Sequence, residues 1–212
     1  MNPGSLVDKL EWRYATKKFD PTKKIEDRTW EAIQKALVLT PSSYGLQPWK
    51  FVVVTDADTK AKLVEASFKQ NQPAECSHLV VICRLDNMDS EHVEKYASHI
   101  LATRDITADS IATYKSMMLG FVDRTSKEDL ETWMAKQCYI ALGNLIAVAS
   151  GLGVDNCPME GFDHKRYDEI LDLEKRGCRS VVLCALGYRA EDDHYAQLAK
   201  VRFDDSDVII HV

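Results

Sequence analysis

Pro41-Ser42-Ser43-Tyr44-Gly45-Leu46-Gln47-Pro48-Trp49-Lys50-Phe51-Val52-Val53-Val54 sets a polar, proline-bracketed loop directly before an aromatic, β-branched run. Upstream, Trp30, Ile33, Leu37 and Val38 are spaced for one helix face, so Trp30 to Thr40 reads as an amphipathic helix. Pro41 ends it, because the residue before a proline is driven out of the helical region. Phe51 to Val54 has the length and composition of a buried strand. Between the two lie two hydroxyls, a phenol, a glycine and an amide. Helix, polar loop and strand together suit a rigid scaffold that presents a ligand loop. A plain connection between two elements reads equally well.

Outward from this stretch the same kinds of element recur. Ser5 to Trp12 is a helix candidate with Ser5 as N-cap and Leu6, Val7 and Leu10 on one face. Asp27 is read as the cap of the helix before the loop, and Asp56 or Asp58 as the cap of one running to about Phe68. His78 to Cys83 is a second buried strand. Asp86 to Gly120 is helical and polar, so residues about 86–125 form a helical excursion. Ser126 opens the longest helix, which is apolar nearly all round from Cys138 to Ala149, and such a helix is buried in the core or shared with a second chain. The small residues Ala141, Gly143 and Ala147 permit close helix approach, which favours a homodimer. Gly151-Leu152-Gly153 is a helix end and not a dinucleotide fingerprint, since it follows a helix. Val154 leads a short strand, Asp163 caps another helix, Ser180 to Leu186 is a strand, and the terminal Asp207 to Val212 is strand-like and needs a sheet to join. The expected fold is α/β (α+β), with about five strands between long helices in one domain over 1–212.

The 212 residues are 45% hydrophobic and 28% charged, with a net charge of -6. That balance argues against a general role on nucleic acid or a membrane surface, which needs a basic face. No apolar run approaches the roughly 20 residues of a membrane span. Met1 to Leu10 holds no signal-peptide core, and the six cysteines lie mostly in apolar runs, so the expected setting is reducing and cytoplasmic. His92 and His99 are seven apart with no evident third ligand, so no metal is expected.

The remaining signals concern charge. Arg13, Lys17 and Lys18 place three cations in six residues, and Lys200 and Arg202 form a second pair far along the chain. Arginine meets phosphate bidentately and lysine as a point charge. Each cluster alone also reads as a solvated basic loop; together, if the fold joins them, they make one phosphate site. The amides around Asn71 suit a ring with alternating N–H and C=O groups, or simply a polar turn. Tyr114, Met117, Met118, Leu119 and Phe121 form a patch that reads as core or as the lining of an adaptable pocket.

Six segments together resemble the FMN-dependent nitroreductase family, in its oxygen-insensitive NAD(P)H branch. They are Arg13 to Asp20, Pro41-Ser42-Ser43 with Gln47-Pro48-Trp49, Asn71-Gln72-Pro73, Trp133-x-x-Lys136-Gln137-x-Tyr139-x-x-x-Gly143-Asn144, Met159-Glu160-Gly161 and Lys200-x-Arg202. They follow the family's order over essentially the whole chain. The resemblance implies a nitroreductase-like fold with a mostly antiparallel central sheet flanked by helices. It also implies an intertwined homodimer with the long helix at its interface, a C-terminal strand reaching the partner, and two interfacial FMN sites.

By the same resemblance, cofactor contacts fall to Arg13, Tyr14, Ala15, Lys17, Pro41, Ser42, Ser43, Gln47, Asn71, Pro158, Met159, Glu160, Gly161, Lys200 and Arg202. Arg13, Lys200 and Arg202 would hold the phosphate, Lys17 the N1/C2 edge and Asn71 the pyrimidine edge. The Glu160-Gly161 turn would offer a backbone N–H to N5, and the Pro41 loop would serve the partner's flavin. Tyr114, Met117, Met118 and Phe121 would line the acceptor site. NAD(P)H would donate hydride and a nitroaromatic, quinone or flavin would accept two electrons in a ping-pong cycle, with no side-chain nucleophile. A flavin-binding protein without turnover, or a specialised dehalogenase or flavin destructase, is the alternative. Ala15 departs from the family's common serine, removing one hydroxyl from the phosphate.

Overall fold

A computed structural model describes residues 3–212. Its elements in order are α1 (Pro3–Trp12), α2 (Asp27–Val38), β1 (Trp49–Val54), α3 (Ala57–Ala66), α4 (Gln72–Glu75), β2 (His78–Leu85), α5 (Ser90–Arg104), α6 (Ala112–Arg124), α7 (Lys127–Gly151), β3 (Asp155–Met159), α8 (His164–Ile170), β4 (Cys178–Gly187) and α9 (Asp205–Val208). The strands form one antiparallel sheet in the order β1-β2-β4-β3.

The sheet has helices on both faces, which is why its central strands read as continuous apolar runs. Alternation still sorts their side chains. Leu79, Val81 and Cys83 of β2 join Leu63 of α3 and Tyr167 of α8 in one core layer. Val80 and Ile82 face the other way, onto Ile33 and Leu37 of α2 and Leu142 and Leu145 of α7. A third cluster lies in the helical excursion, where Met118 and Val122 of α6 pack with Leu46, Met88, Val93, Leu130 and Met134.

Several helix starts follow local chemistry. Asp56, Ser126 and Asp163 each accept a backbone N–H of the first turn they precede. Asp27 does not cap α2: Glu26 holds that position without a side-chain bond, and Asp27 is already helical. Ser5 is likewise inside α1, which runs from Pro3. Val38 leaves the expected face and is exposed, because α2 ends there ahead of Pro41.

One larger expectation is corrected, and two that involve a second chain are described for the single chain. β1 is an edge strand, so Lys50 and Val53 are exposed and only Val54 is buried. α7 is not enclosed on every side: Cys138, Ala141 and Leu145 are in the core, while Tyr139, Ile140 and Gly143 face out. The terminal run is no strand within the chain. Asp205–Val208 turns helically, and Ile209, Ile210 and Val212 are exposed and belong to no strand.

Candidate functional site

α1 runs straight into the basic turn, with Arg13 N donating to Lys9 O at 3.1 Å. The turn then lies along the outer edge of β3, where Ala15 bridges Asn156. Chain reversal after β4 brings back residues 189–202. Lys200 Nζ donates to the Arg13 carbonyl, and Arg13, Lys200 and Arg202 come together although 187 positions separate the first two. Burial, then the charge of Arg202, lowers the Arg13 pKa; burial, then Arg13 and Arg202, lowers that of Lys200. Arg13 Nε is buried with no acceptor among the described residues. Like charges held together without a paired carboxylate suit an anion.

These cations edge a cavity of about 560 Å³, also lined by Trp12, Tyr14, Ala15, Lys17 and Tyr195. The Lys17 ammonium faces no carboxylate partner among the described residues, whereas neighbouring Lys18 pairs with Asp192. An adjoining cleft of about 330 Å³ runs from the cations to Val7 and Leu10 of α1 and to Gly143, Ile146 and Ala147 of α7. A larger cleft, about 830 Å³, lies by α8 and β4, but its charges mostly answer one another. Arg179 meets Asp86, Asp168 and Glu174, Lys175 meets Asp172, and Arg84 meets Glu131. The smaller cavity is therefore the better anion site.

From Lys17 the rim continues along neighbouring segments. Phe19 N donates to Glu75 Oε2 at 3.1 Å, placing α4 and the preceding Asn71 beside the turn. Gln70 Nε2 donates to the Gly161 carbonyl at 2.7 Å, joining the Asn71 segment to the turn after β3. The Gly161 amide N–H finds no acceptor among the described residues. Glu160 accepts from Tyr139 Oη, and the tyrosine pKa is pushed up to about 12 by burial and then by that bond. Pro158 is half-buried, and the Met159 side chain is in the core, so only its backbone is available. Thr16 does not stand in for a hydroxyl at Ala15, because its Oγ1 is fully buried and unpaired.

The Pro41 loop is elsewhere. Ser43 N donates to Gln137 Oε1 at 2.9 Å, Gln47 N to Ser42 Oγ at 2.9 Å, and Tyr114 Oη to the Tyr44 carbonyl at 2.7 Å. Tyr44, Gly45 and Gln47 all have positive φ. Pro41, Ser42, Ser43 and Gln47 line no part of the cation cavity of their own chain. The expected acceptor residues lie behind this loop. Met118 is fully buried and offers a ligand no surface, which corrects its place in the lining. Phe121 packs on Tyr44 and Trp133, Tyr114 holds the loop, and Met117 alone of the four is exposed.

The model of the nitroreductase family matches residues 10–188. The chain belongs to the nitroreductase family. It is 36% identical to Putative NAD(P)H nitroreductase SERP2086 of Staphylococcus epidermidis, over 97% of this chain and 96% of the relative. Among solved structures, the putative nitroreductase ydfN of Bacillus subtilis superposes with a TM-score of 0.88 at 16% identity, covering 100% of both chains. A putative nitroreductase of Exiguobacterium sibiricum in complex with FMN gives 0.81 at 20% identity, covering 98% of this chain and 97% of the other. The nitroreductase-like fold expected from the sequence is thus found, apart from the elements corrected above.

Some residues that build this cavity left no local mark in the sequence. Arg189 lies over the rings of Trp12 and Tyr14, at 4.4 and 4.6 Å from their centroids, and bonds Asp155 at 2.8 Å. Asp193 accepts from Tyr14 Oη at 2.8 Å. Burial and then this bond raise the Tyr14 pKa. Their partners are more than 30 or 170 positions away, beyond any spacing rule.

Proposed function

We propose that this chain is an FMN-dependent oxidoreductase that uses NAD(P)H and reduces nitroaromatics, quinones or flavins as a homodimer. The observation that carries the reading is the Arg13, Lys200 and Arg202 cluster, which gathers three cations on one cavity with no carboxylate paired to any of them among the described residues. A phosphate monoester fits that donor set, since arginine meets it with paired N–H groups and lysine adds charge. FMN, when bound, supplies the two-electron chemistry, with hydride received from NAD(P)H and passed to the acceptor in a ping-pong cycle.

The chain's part is to bind, orient and polarise. Arg13, Lys200 and Arg202 hold the phosphate. Lys17 places a cation at the N1/C2 edge, where negative charge develops. Asn71 serves the pyrimidine edge, and the free N–H of Gly161 serves N5. Glu160, bonded by Tyr139, fixes the turn that carries that N–H. The exposed faces of α7 and α1 and the apolar tail at 209–212 support a second copy as the missing cover. In that dimer Pro41, Ser42, Ser43 and Gln47 serve the partner's cofactor, and exposed Met117, with Tyr114 and Phe121 behind it, borders the acceptor space. The buried, unpaired cysteines support a reducing, cytoplasmic setting.

The test is anaerobic stopped-flow mixing of the purified, FMN-loaded protein with NADH or NADPH, followed by a panel of acceptors. Bleaching of the flavin within seconds is expected. A yellow protein that neither nucleotide bleaches would be a flavin-binding protein without turnover. A colourless protein that ignores added FMN would sink both readings.

A further inference from the structure

Two consecutive lysines meet two consecutive aspartates in this fold, and the two aspartates take different parts of them. Asp192 pairs with the ammonium of Lys18. Asp193 takes backbone instead. Its Oδ2 accepts from Lys17 N at 2.9 Å, Lys18 N at 3.2 Å and Tyr14 Oη at 2.8 Å, and its Oδ1 accepts from Tyr195 N at 3.2 Å. It is only 3% exposed, between neighbours that are exposed. Burial opposes its ionisation, but the bonds from Tyr14, Lys18, Lys17 and Tyr195 outweigh that and hold the carboxyl below its usual range.

The position of this carboxylate matters more than its charge count. One segment it grips follows Arg13 and carries Lys17. The other leads to Lys200 and Arg202. Those three terminal cations repel one another, so the ligand-free arrangement needs something to hold it. Asp193 forms no ion pair with any of them, so it holds the frame without neutralising the site. Its oxygens are already taken by donors of the frame.

We propose that Asp193 is a positioning residue for the anion site, fixing the Arg13–Lys18 turn against the Tyr195–Arg202 segment so that the three cations converge on one phosphate. This rests on reading the cavity as the FMN phosphate site. Removing the carboxylate therefore affects the phosphate end of the ligand most, because all three cations depend on the frame, and the ring less, through Lys17 alone.

The test compares FMN, riboflavin and inorganic phosphate, titrated against wild-type protein, Asp193→Asn and Tyr14→Phe, with thermal unfolding of each ligand-free protein alongside. Asp193→Asn is expected to weaken FMN about tenfold or more, the scale of charge-assisted hydrogen bonds lost from a frame, and to weaken riboflavin by about threefold at most, through the loosened Lys17. Tyr14→Phe removes one donor and no charge, so about threefold is expected. If Asp193→Asn does not fold, Tyr14→Phe carries the same FMN-to-riboflavin comparison. Unchanged FMN affinity, or equal losses for FMN and riboflavin, overturns the proposal. Wild-type protein that binds phosphate but no flavin defeats the FMN reading alone, and the positioning role then stands or falls on phosphate affinity. Wild-type protein that binds neither overturns both.

Discussion

Between Tyr44 and Gln47 the backbone is strained and its polar groups are met; around Arg13 the backbone is ordinary and the charges are not. The loop has positive φ at Tyr44, Gly45 and Gln47, each non-glycine instance costing on the order of 1 kcal/mol. It is held by Gln137, Tyr114 and the Ser42 hydroxyl, and His92 Nε2 lies 2.6 Å from the Leu46 carbonyl. The basic end shows the reverse. Arg13 Nε, Thr16 Oγ1 and Asn156 Oδ1 are the buried side-chain atoms without partners among the described residues, and all belong to segments that frame that end. The difference teaches where each ligand contact is made. On the proposed reading, unmet charge marks the place that an anion completes, whereas a strained but satisfied loop is a fixed part of the chain.

The comparison can be broken most forcefully through the core behind the loop. Met118→Ala should cost about 2–5 kcal/mol of stability, the range for emptying a buried methionine site. FMN affinity, measured on the folded fraction, should stay at the wild-type value. Equal stability would mean that Met118 is not the packed residue described, and the acceptor lining would regain it. At the other end, Arg13→Ala should weaken FMN by about 1.5–3 kcal/mol, through loss of charge-assisted bonds to the phosphate. Urea unfolding of the ligand-free variant should show little loss, because the substitution removes a like-charge repulsion and an unmet buried donor. A variant that binds FMN normally but unfolds early would make Arg13 a scaffold residue and erase the contrast.

How much of this the sequence disclosed depends on how local each cause is. The caps at Asp56, Ser126 and Asp163 were legible because cap and helix are neighbours. The central strands β2 and β4 were legible because both sheet faces are covered there and their runs stay apolar. The run Phe51 to Val54 could not say that β1 lies at an edge, since edge position depends on which strand pairs last. Nor could the tail's apolar residues say what they pair with. At the site, Arg13, Lys200 and Arg202 announced themselves by charge type. Asp193 did not, because its partners are mostly backbone amides, which every residue has. Met118 was ambiguous for another reason: an apolar stripe has the same pattern against a core and against a pocket.

The loop's strain can be tested more gently. A Cβ on Gly45 would lie 2.0 Å from Tyr96 Oη, at a φ of +64°. Gly45→Ala should therefore cost about 1–2 kcal/mol in urea unfolding, part from backbone strain and part from moving Tyr96. In isolated protomers the affinity for FMN should not change. If FMN affinity falls only where the protein is dimeric, the loop serves the partner's cofactor; if it falls in protomers too, the two ends are coupled within one chain.

The smallest effect separates the ends by pH. Burial, then Arg13 and Arg202, lower the pKa of Lys200 below 10.5 in the folded, ligand-free chain. Between that lowered value and 10.5 the unfolded chain binds more protons, so ligand-free stability rises with pH there. A bound phosphate does the opposite to the lysine: it favours the ammonium and raises its pKa. Binding then takes up a proton in the same window, so FMN affinity falls as pH rises through the ligand-free value. The two slopes have opposite signs, a pattern expected of a cation cluster that awaits an anion. Lys200→Met should remove both, with changes of a few-fold or less for one exposed lysine. FMN titrations and urea unfolding from neutral to alkaline pH, run on both proteins, measure the two slopes. Slopes of the same sign in wild type, or slopes that survive in the variant, would move the unmet charge away from Lys200 and leave Arg13 and Arg202 to hold the phosphate.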